Sequence, residues 1–518
     1  MAPLTCSPAS FTSLSFPSID VQSLSASPVT NFPIEDAVRI PNHGFYPSGT
    51  VEFCNVTIAY THPNEESYPI NFEAWLPSHE SWNERLVAAG GSGFAAGRFS
   101  DTYRIMSGLI NEGYVSFTTD GGAPNVTNFE FALKETGVLD EVALKNWGTV
   151  ALGDMATIGK AVVKQYYGQP AIYSYFSGCS QAGRQGYEFA QRYPDAFDGI
   201  AATAPAFSML DAFYNIFWPQ FLMNQGESWP RGCEIDSLTN LAVQHCDERD
   251  GVLDGIISRP DLCEDFDPFA RIGDAALACQ DKSSTISEMA AIVVNASWTG
   301  FPDRDGGHML YPGLFPGTDL TGNVTGAGIA TTTCYETDQG CHGSPIELGY
   351  APVRIFGAKD GSFDYTKLTF DQLYNGQEEA KRLVGRELQS FDPDLSAFRD
   401  RGGKLLTFHG LSDQLLSAGI VRRYYDQVSQ RLDDVQDFYR YFEIPGLGHC
   451  NAGPQHPDST FDALRLWVEE GVAPETLPYR QPDAEGNIGD RVACPYPQAA
   501  TYKSCCGNPT LAECYECK

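Results

Sequence analysis

No stretch of the 518 residues stays apolar for the roughly eighteen positions that a membrane-spanning helix needs; the best, 289–294, is far too short. Basic side chains are scarce, with 34 Lys and Arg against 66 Asp and Glu, and the net charge is −32. Such a field repels nucleic-acid phosphates and anionic membranes, so neither is expected as a partner. The sequence has no H-E-x-x-H and no clustered histidines, which disfavours metal-activated hydrolysis. It also lacks G-x-G-x-x-G and a Walker lysine, which disfavours nucleotide binding. There is no internal repeat and no long low-complexity run. The first residues, Met-Ala-Pro-Leu-Thr-Cys, carry no basic region followed by an apolar one, as expected of a chain whose export signal has been removed.

What is present is globular: 42% hydrophobic and 12% aromatic residues. Fifteen cysteines are many for a reducing compartment, and only Cys514 and Cys517 form a C-x-x-C pair. They read as a disulfide framework, the odd count leaving at least one unpaired or bonded to another chain. Asn55, Asn125, Asn295 and Asn323 each open an N-x-S/T sequon. Together these features predict a secreted, extracellular glycoprotein.

Short β-rich runs at 51–60, 70–76, 85–89, 114–119, 171–176 and 199–204 alternate with helical spacing at 147–167 and 184–193. Buried strands alternating with amphipathic helices predict an α/β fold with a mostly parallel sheet covered on both faces. The rhythm breaks after Pro205. From there to Phe391 the chain is irregular, rich in aromatics, Gly/Pro loops and cysteines, and the alternation returns at 404–409, 438–444 and 460–471. The expected organisation is a core in two parts, 1–205 and 392–518, with an inserted domain at 206–391 and a cysteine-rich tail from Cys494.

Within the first part, a strand runs through Gly178-Cys179-Ser180-Gln181-Ala182-Gly183 straight into a helix. That is the context of a nucleophile elbow, where a strained turn lifts a serine above the sheet and small flanking residues let strand and helix backbones approach. Ala182 stands where glycine is usual. A serine hydroxyl needs a base, and in the α/β-hydrolase fold the chain order is Ser, then Asp or Glu, then His. Of the late histidines, His409 precedes any suitable acid, whereas His449 lies in a glycine-rich loop, 445–450, after a strand. Asp413, in the loop after the preceding strand, can hold the imidazole in the right tautomer. Ser180, Asp413 and His449 are therefore the expected nucleophile, orienting acid and base.

If serine and base are hydrogen-bonded, Cys179 and Cys450 beside them come within the roughly 4.4–6.8 Å Cα separation of a disulfide, so a Cys179–Cys450 bridge is predicted. One oxyanion donor is expected from the Gln181 N–H and a second from the turn containing Gly91, Ser92 and Gly93.

The Cys179-Ser180, Asp413 and His449-Cys450 arrangement resembles the CS–D–HC pattern of the tannase/feruloyl esterase family, and 178–186, 54–60 and 204–206 resemble that family's elbow and flanking segments. The resemblance covers most of the chain and is weakest over 285–384. It implies an α/β-hydrolase fold with the insertion as a lid over an aromatic acyl group, and a Cys179–Cys450 disulfide. Acidic residues spaced through 246–257 with glycines between them supply the hard oxygens that calcium prefers. The resemblance implies a structural Ca2+ there, held by Asp247, Asp250 and Asp254 side chains and the Val252 and Ile256 carbonyls. Cys246 and Cys263 are expected to pair and close this loop. Most of the aromatic cluster Phe207, Phe213, Tyr214, Phe217, Trp218, Phe221 and Trp229 reads as core, one or two members facing the cleft. The implied substrate is a small aromatic ester or feruloylated polysaccharide, Gly183–Gly186 leaning towards the feruloyl side, with galloyl esters of tannins as the alternative. A non-catalytic, calcium-dependent carbohydrate-binding protein on the same scaffold is the reading from another class.

Overall fold

The computed structural model describes residues 4–34, 39–65, 68–123, 128–281, 283–335, 340–450, 453–482 and 486–518. Nine strands form one sheet: β1 (Asp20–Ile34), β2 (Gly49–Thr61), β3 (Ile70–Leu76), β4 (Arg85–Ala89), β5 (Val115–Thr119), β6 (Tyr173–Cys179), β7 (Gly199–Thr203), β8 (Lys404–Gly410) and β9 (Tyr439–Ile444). Their spatial order is β1-β2-β3-β5-β4-β6-β7-β8-β9. From β5 to β9 all neighbours are parallel, while β1, β2, β3 and β5 pair antiparallel. This is the α/β-hydrolase architecture, with an antiparallel wing on a parallel sheet.

The parallel strands are apolar almost throughout because both faces are covered. Successive side chains alternate between faces: on β6, Phe176 joins one buried cluster and Tyr175 another. Helices α1 (Ser100–Asn111), α2 (Ala151–Tyr167) and α3 (Gln181–Arg192) follow β4, β5 and β6. Leu109 of α1 lies on the Tyr175 side, whereas α2 and α3 contribute Met155, Val162 and Phe189 to the opposite cluster. The helix expected from residue 147 starts later. Asn146–Val150 is a π-turn, and the Trp147 Nε1–H bonds to the Phe94 carbonyl at 2.9 Å, tying that turn to the glycine loop after β4.

Between β7 and β8 lie α4 (Met209–Gln225), α5 (Gly232–Cys246), α6 (Glu288–Thr299), α7 (Glu347–Ala358) and α8 (Phe370–Leu388). Helix α4 is buried at 14 of its 17 residues, as a helix packed on every side must be; α6, α7 and α8 surround it. The segment enters and leaves at one place: Ser208 N–H bonds to Gln389 O at 2.7 Å, and Ala206 N–H to Ser180 O at 3.0 Å. Helices α9 (Ala418–Ser429) and α10 (Thr460–Glu470) complete the core. Two hairpins close the chain, β10 (Leu477–Pro482) with β11 (Ile488–Ala493) and β12 (Ala500–Tyr502) with β13 (Tyr515–Cys517).

Seven disulfides join Cys6–Cys54, Cys179–Cys450, Cys233–Cys279, Cys246–Cys263, Cys334–Cys341, Cys494–Cys517 and Cys506–Cys514. Cys505 is the exposed free thiol. The C-x-x-C pair is split between two bridges. No described helix is long and apolar enough to cross a membrane.

Candidate active site

Ser180 sits between β6 and α3 with φ 63° and ψ −119°, a conformation that costs a non-glycine residue of order 1–3 kcal/mol. Its surroundings hold it there. The Ser180 N–H bonds to Thr203 O at 3.0 Å, and Arg184 N–H to Ser180 O at 3.0 Å. A Cβ on Gly178 would lie 2.2 Å from the Ala182 Cβ, and one on Gly183 2.4 Å from Thr203 O. Glycine at both places lets the strand and helix meet, and alanine at 182 is as large as the turn permits.

Three loops bring the triad together. His449 Nε2 lies 2.9 Å from Ser180 Oγ, and His449 Nδ1 lies 2.8 Å from Asp413 Oδ2. Since the carboxylate can only accept, the imidazole proton sits on Nδ1 and Nε2 is left bare to accept the serine proton. The Gln414 side-chain oxygen takes the His449 backbone N–H at 2.9 Å. Beneath them the acid and base loops touch: a Cβ on Gly410 would lie 2.0 Å from Leu447 O. The Cys179–Cys450 bridge, with Cα atoms 5.8 Å apart, joins the residues beside Ser180 and His449.

Asp413 is buried, and burial alone would raise its pKa. The facing His449 and His409 outweigh that and hold the carboxyl well below the usual range. Its Oδ1 accepts the Leu415 and Leu416 N–H groups, both at 2.9 Å.

Beside Ser180 and His449 lies an apolar pocket walled by Met209, Phe213, Ile216, Leu348, Leu415 and Leu416. Apart from Ser180, His449 and Gln181, no polar side chain among the described residues lines it. Phe213 is thus the member of the aromatic cluster that faces the cleft. The Gln181 N–H opens α3 next to Ser180, where helix N–H groups lack internal partners. Gly93, with φ 56°, lines the same pocket. Gly91 departs from expectation: its N–H bonds to Gln185 Oε1 at 3.2 Å, and a Cβ there would strike Ala95 O at 1.9 Å. Its glycine serves packing and its N–H is already engaged, which leaves the Ser92 and Gly93 N–H groups of the expected turn.

The sequence model of the family described as "Tannase and feruloyl esterase" matches residues 54–518. The chain belongs to the tannase and feruloyl esterase family. It is 34% identical over 489 residues to a probable feruloyl esterase of Arthroderma benhamiae, covering 91% of this chain and 86% of that one. It is 28% identical to a probable feruloyl esterase B-1 of Aspergillus fumigatus, over 88% of this chain and 83% of that one. Among solved structures, a tannin acyl hydrolase from Aspergillus niger superposes with TM-score 0.83 at 26% identity, covering 99% and 95% of the two chains. Feruloyl esterase B from Aspergillus oryzae superposes with TM-score 0.78 at 24% identity, covering 99% and 100%, a likeness of fold. This family member is a carboxylic ester hydrolase.

Two residues of the esterase have roles that motif reading missed. His409, set aside as a base, touches both Asp413 Oδ2 at 2.9 Å and Leu416 O at 3.0 Å through Nε2. A carbonyl can only accept, so Nε2 carries the proton and His409 is a second donor to the acid. Gln185, fully buried, takes the Gly91 N–H and donates to Ala96 O at 2.9 Å, clamping the glycine turn to α3. His409 was foreshadowed only by its four-residue spacing from Asp413; nothing in the motif marked Gln185.

In the acidic loop, Asp247 accepts the N–H groups of Asp254 and Gly255 at 3.2 and 2.8 Å, Asp250 that of Val252 at 2.8 Å, and Asp254 that of Ile256 at 3.2 Å. Burial, with the charges of Asp250 and Asp247, pushes Asp254 up to about 6. The loop therefore concentrates negative charge that the nearby Arg491, 3.5 Å from Asp254, only partly offsets. Its oxygen donors fit calcium chemically. Their present arrangement does not form a cage: among the described residues no three acidic, His or Cys side chains converge on one point. Asn55 lies in β2, Asn295 in α6 and Asn323 on the surface, while Asn125 lies outside the described residues.

Proposed function

We propose that the chain is a secreted serine esterase that cleaves hydroxycinnamoyl esters of plant cell-wall material through an acyl-enzyme. The observation that carries this reading is the continuous line from Ser180 Oγ through His449 to Asp413. Ser180 Oγ attacks the ester carbonyl as His449 Nε2 takes its proton. Asp413 stabilises the imidazolium, and the oxyanion rests on the Gln181 N–H with Ser92 or Gly93 N–H. Collapse breaks the ester C–O bond, and His449 returns the proton to the departing alcohol. Water then attacks the acyl-Ser180 carbonyl through the same base and releases the acid.

The pocket wall favours a hydroxycinnamoyl over a galloyl group. A galloyl ring would bury its hydroxyls against aliphatic side chains, and each unpaired one costs about 1–3 kcal/mol. The apolar linker of a hydroxycinnamoyl group suits the same wall. The space is about 30 Å³, so ring entry requires Met209, Leu348 or Leu415 to change rotamer. The Arthroderma benhamiae relative's name supports this reading, and the superposition on the Aspergillus niger tannin acyl hydrolase favours tannase as the second one. Comparing kcat/KM on methyl ferulate and methyl gallate separates them. About tenfold or more in favour of ferulate is expected, and the reverse order would make the chain a tannase.

The disulfide framework and the sequons support secretion and glycosylation at Asn55, Asn125, Asn295 and Asn323. The acidic loop supports a structural Ca2+ held by Asp247, Asp250, Asp254 and the Val252 and Ile256 carbonyls, the carboxylates turning inward from the N–H groups they now accept. The bound ion would neutralise the loop and take no part at Ser180.

A further inference from the structure

Asn42 touches none of the reacting groups, yet its side chain reaches the strand ends that carry the nucleophile elbow. Residues 40–43 form a tight turn closed by the His43 N–H to Ile40 O bond at 3.1 Å, with Pro41 second and Asn42 third at φ 72°. A proline followed by a left-handed residue is the pattern of a type II turn, which glycine fills at least as readily as asparagine. The turn therefore accounts for the backbone of Asn42 and leaves its amide unexplained. That amide is fully buried.

Its Nδ2 lies 3.2 Å from Ser177 Oγ and 3.4 Å from both Gly178 O and Ala201 O. Carbonyls can only accept, so the amide nitrogen faces them, and Oδ1 takes the Thr203 hydroxyl proton at 2.5 Å. One side chain thus joins the end of β6, two residues before Ser180, to the end of β7. The end of β7 in turn frames the serine. Thr203 O accepts the Ser180 N–H, and Ala206 N–H bonds to Ser180 O, both at 3.0 Å. A serine at φ 63° stays there only while such neighbours hold it.

We propose that Asn42 is a positioning residue for Ser180, an inference that rests on the serine-esterase reading. Its amide fixes the end of β7 against the end of β6, and through Thr203 it holds the strained serine where Oγ meets His449 Nε2 at 2.9 Å. The turn itself is anchored without the amide: Asn42 O accepts the Phe461 N–H of α10 at 2.9 Å, and His43 Nε2 lies 3.0 Å from Ser177 Oγ. Removing the side chain should therefore loosen the elbow and leave the turn in place.

The test compares the unaltered protein with Asn42→Gly, which suits the left-handed backbone, and with Thr203→Val, which removes the same hydrogen bond from its other end and keeps the carbonyl at 203. Exhaustive labelling with an aryl phosphonate counts reactive serines, and kcat and KM on methyl ferulate are expressed per labelled serine, well below Tm. In Asn42→Gly, kcat per labelled serine should fall about tenfold or more with KM nearly unchanged, and the rate of labelling should fall in parallel. Thr203→Val should shift both in the same direction. A merely structural role would lower Tm or the count of labelled serines and leave kcat per serine intact. That result in both variants would overturn the proposal, and Thr203→Val decides alone should Asn42→Gly not fold. An unaltered protein that takes no label on Ser180 would instead overturn the esterase reading, and this inference with it.

Discussion

Asp413 holds more of the site than its place beside His449 suggests. One carboxylate accepts four donors, two backbone N–H groups and two imidazoles. Removing the second imidazole in His409→Leu should lower kcat about tenfold with KM nearly unchanged, measured on methyl ferulate. An equal fall in stability with kcat intact would make His409 merely structural. The depressed carboxyl also has a consequence for acid stability. Folded Asp413 keeps its charge at pH values where an unfolded aspartate, near 3.9, takes a proton. Its contribution to stability is therefore complete above about pH 4 and drains as pH falls. Asp413→Asn should flatten the acid limb of a Tm-against-pH curve below that value, while cutting turnover by orders of magnitude. That Ser180, Asp413 and His449 meet was legible because the nucleophile, acid and base expected of this fold fall in fixed chain order beside strand ends. The His409 contact was not, because it depends on how loop 410–416 doubles back. The Gly91 donor was misread for a similar reason: glycine looks the same whether a ligand or Ala95 O comes close.

Between elements, the decisive contact is the staple from the end of β6 to the loop after β9. Its 271-residue separation means that no local preference positions His449 over Ser180. Replacing Cys179 and Cys450 together by serine should lower kcat by tenfold or more, read with methyl ferulate, and unchanged turnover would contradict that role. The central strands and α3 were visible in the sequence to within a few residues, since buried parallel strands read as short apolar runs. The antiparallel edge was not. β1 is a 15-residue strand with most side chains exposed, and Ser, Thr and two prolines mask its pattern. An edge strand tolerates those prolines because one side has no ladder to break. The late start of α2 was equally hidden, because the π-turn keeps helical spacing while Trp147 bonds to a distant loop.

Over the whole molecule, seven disulfides and a −32 charge fit the oxidising exterior proposed for the chain. If calcium neutralises the acidic loop, chelation should lower Tm by a few degrees and added calcium should restore it. An unmoved Tm would leave the loop as a plain acidic turn. The central claim remains that one serine does the chemistry. It is tested most directly by treating the protein with an aryl phosphonate and mapping the adduct by mass spectrometry. The account predicts a single adduct on Ser180, greatly slowed in His449→Ala and matched by loss of ester hydrolysis. An adduct elsewhere, or full hydrolysis by Ser180→Ala, would contradict it.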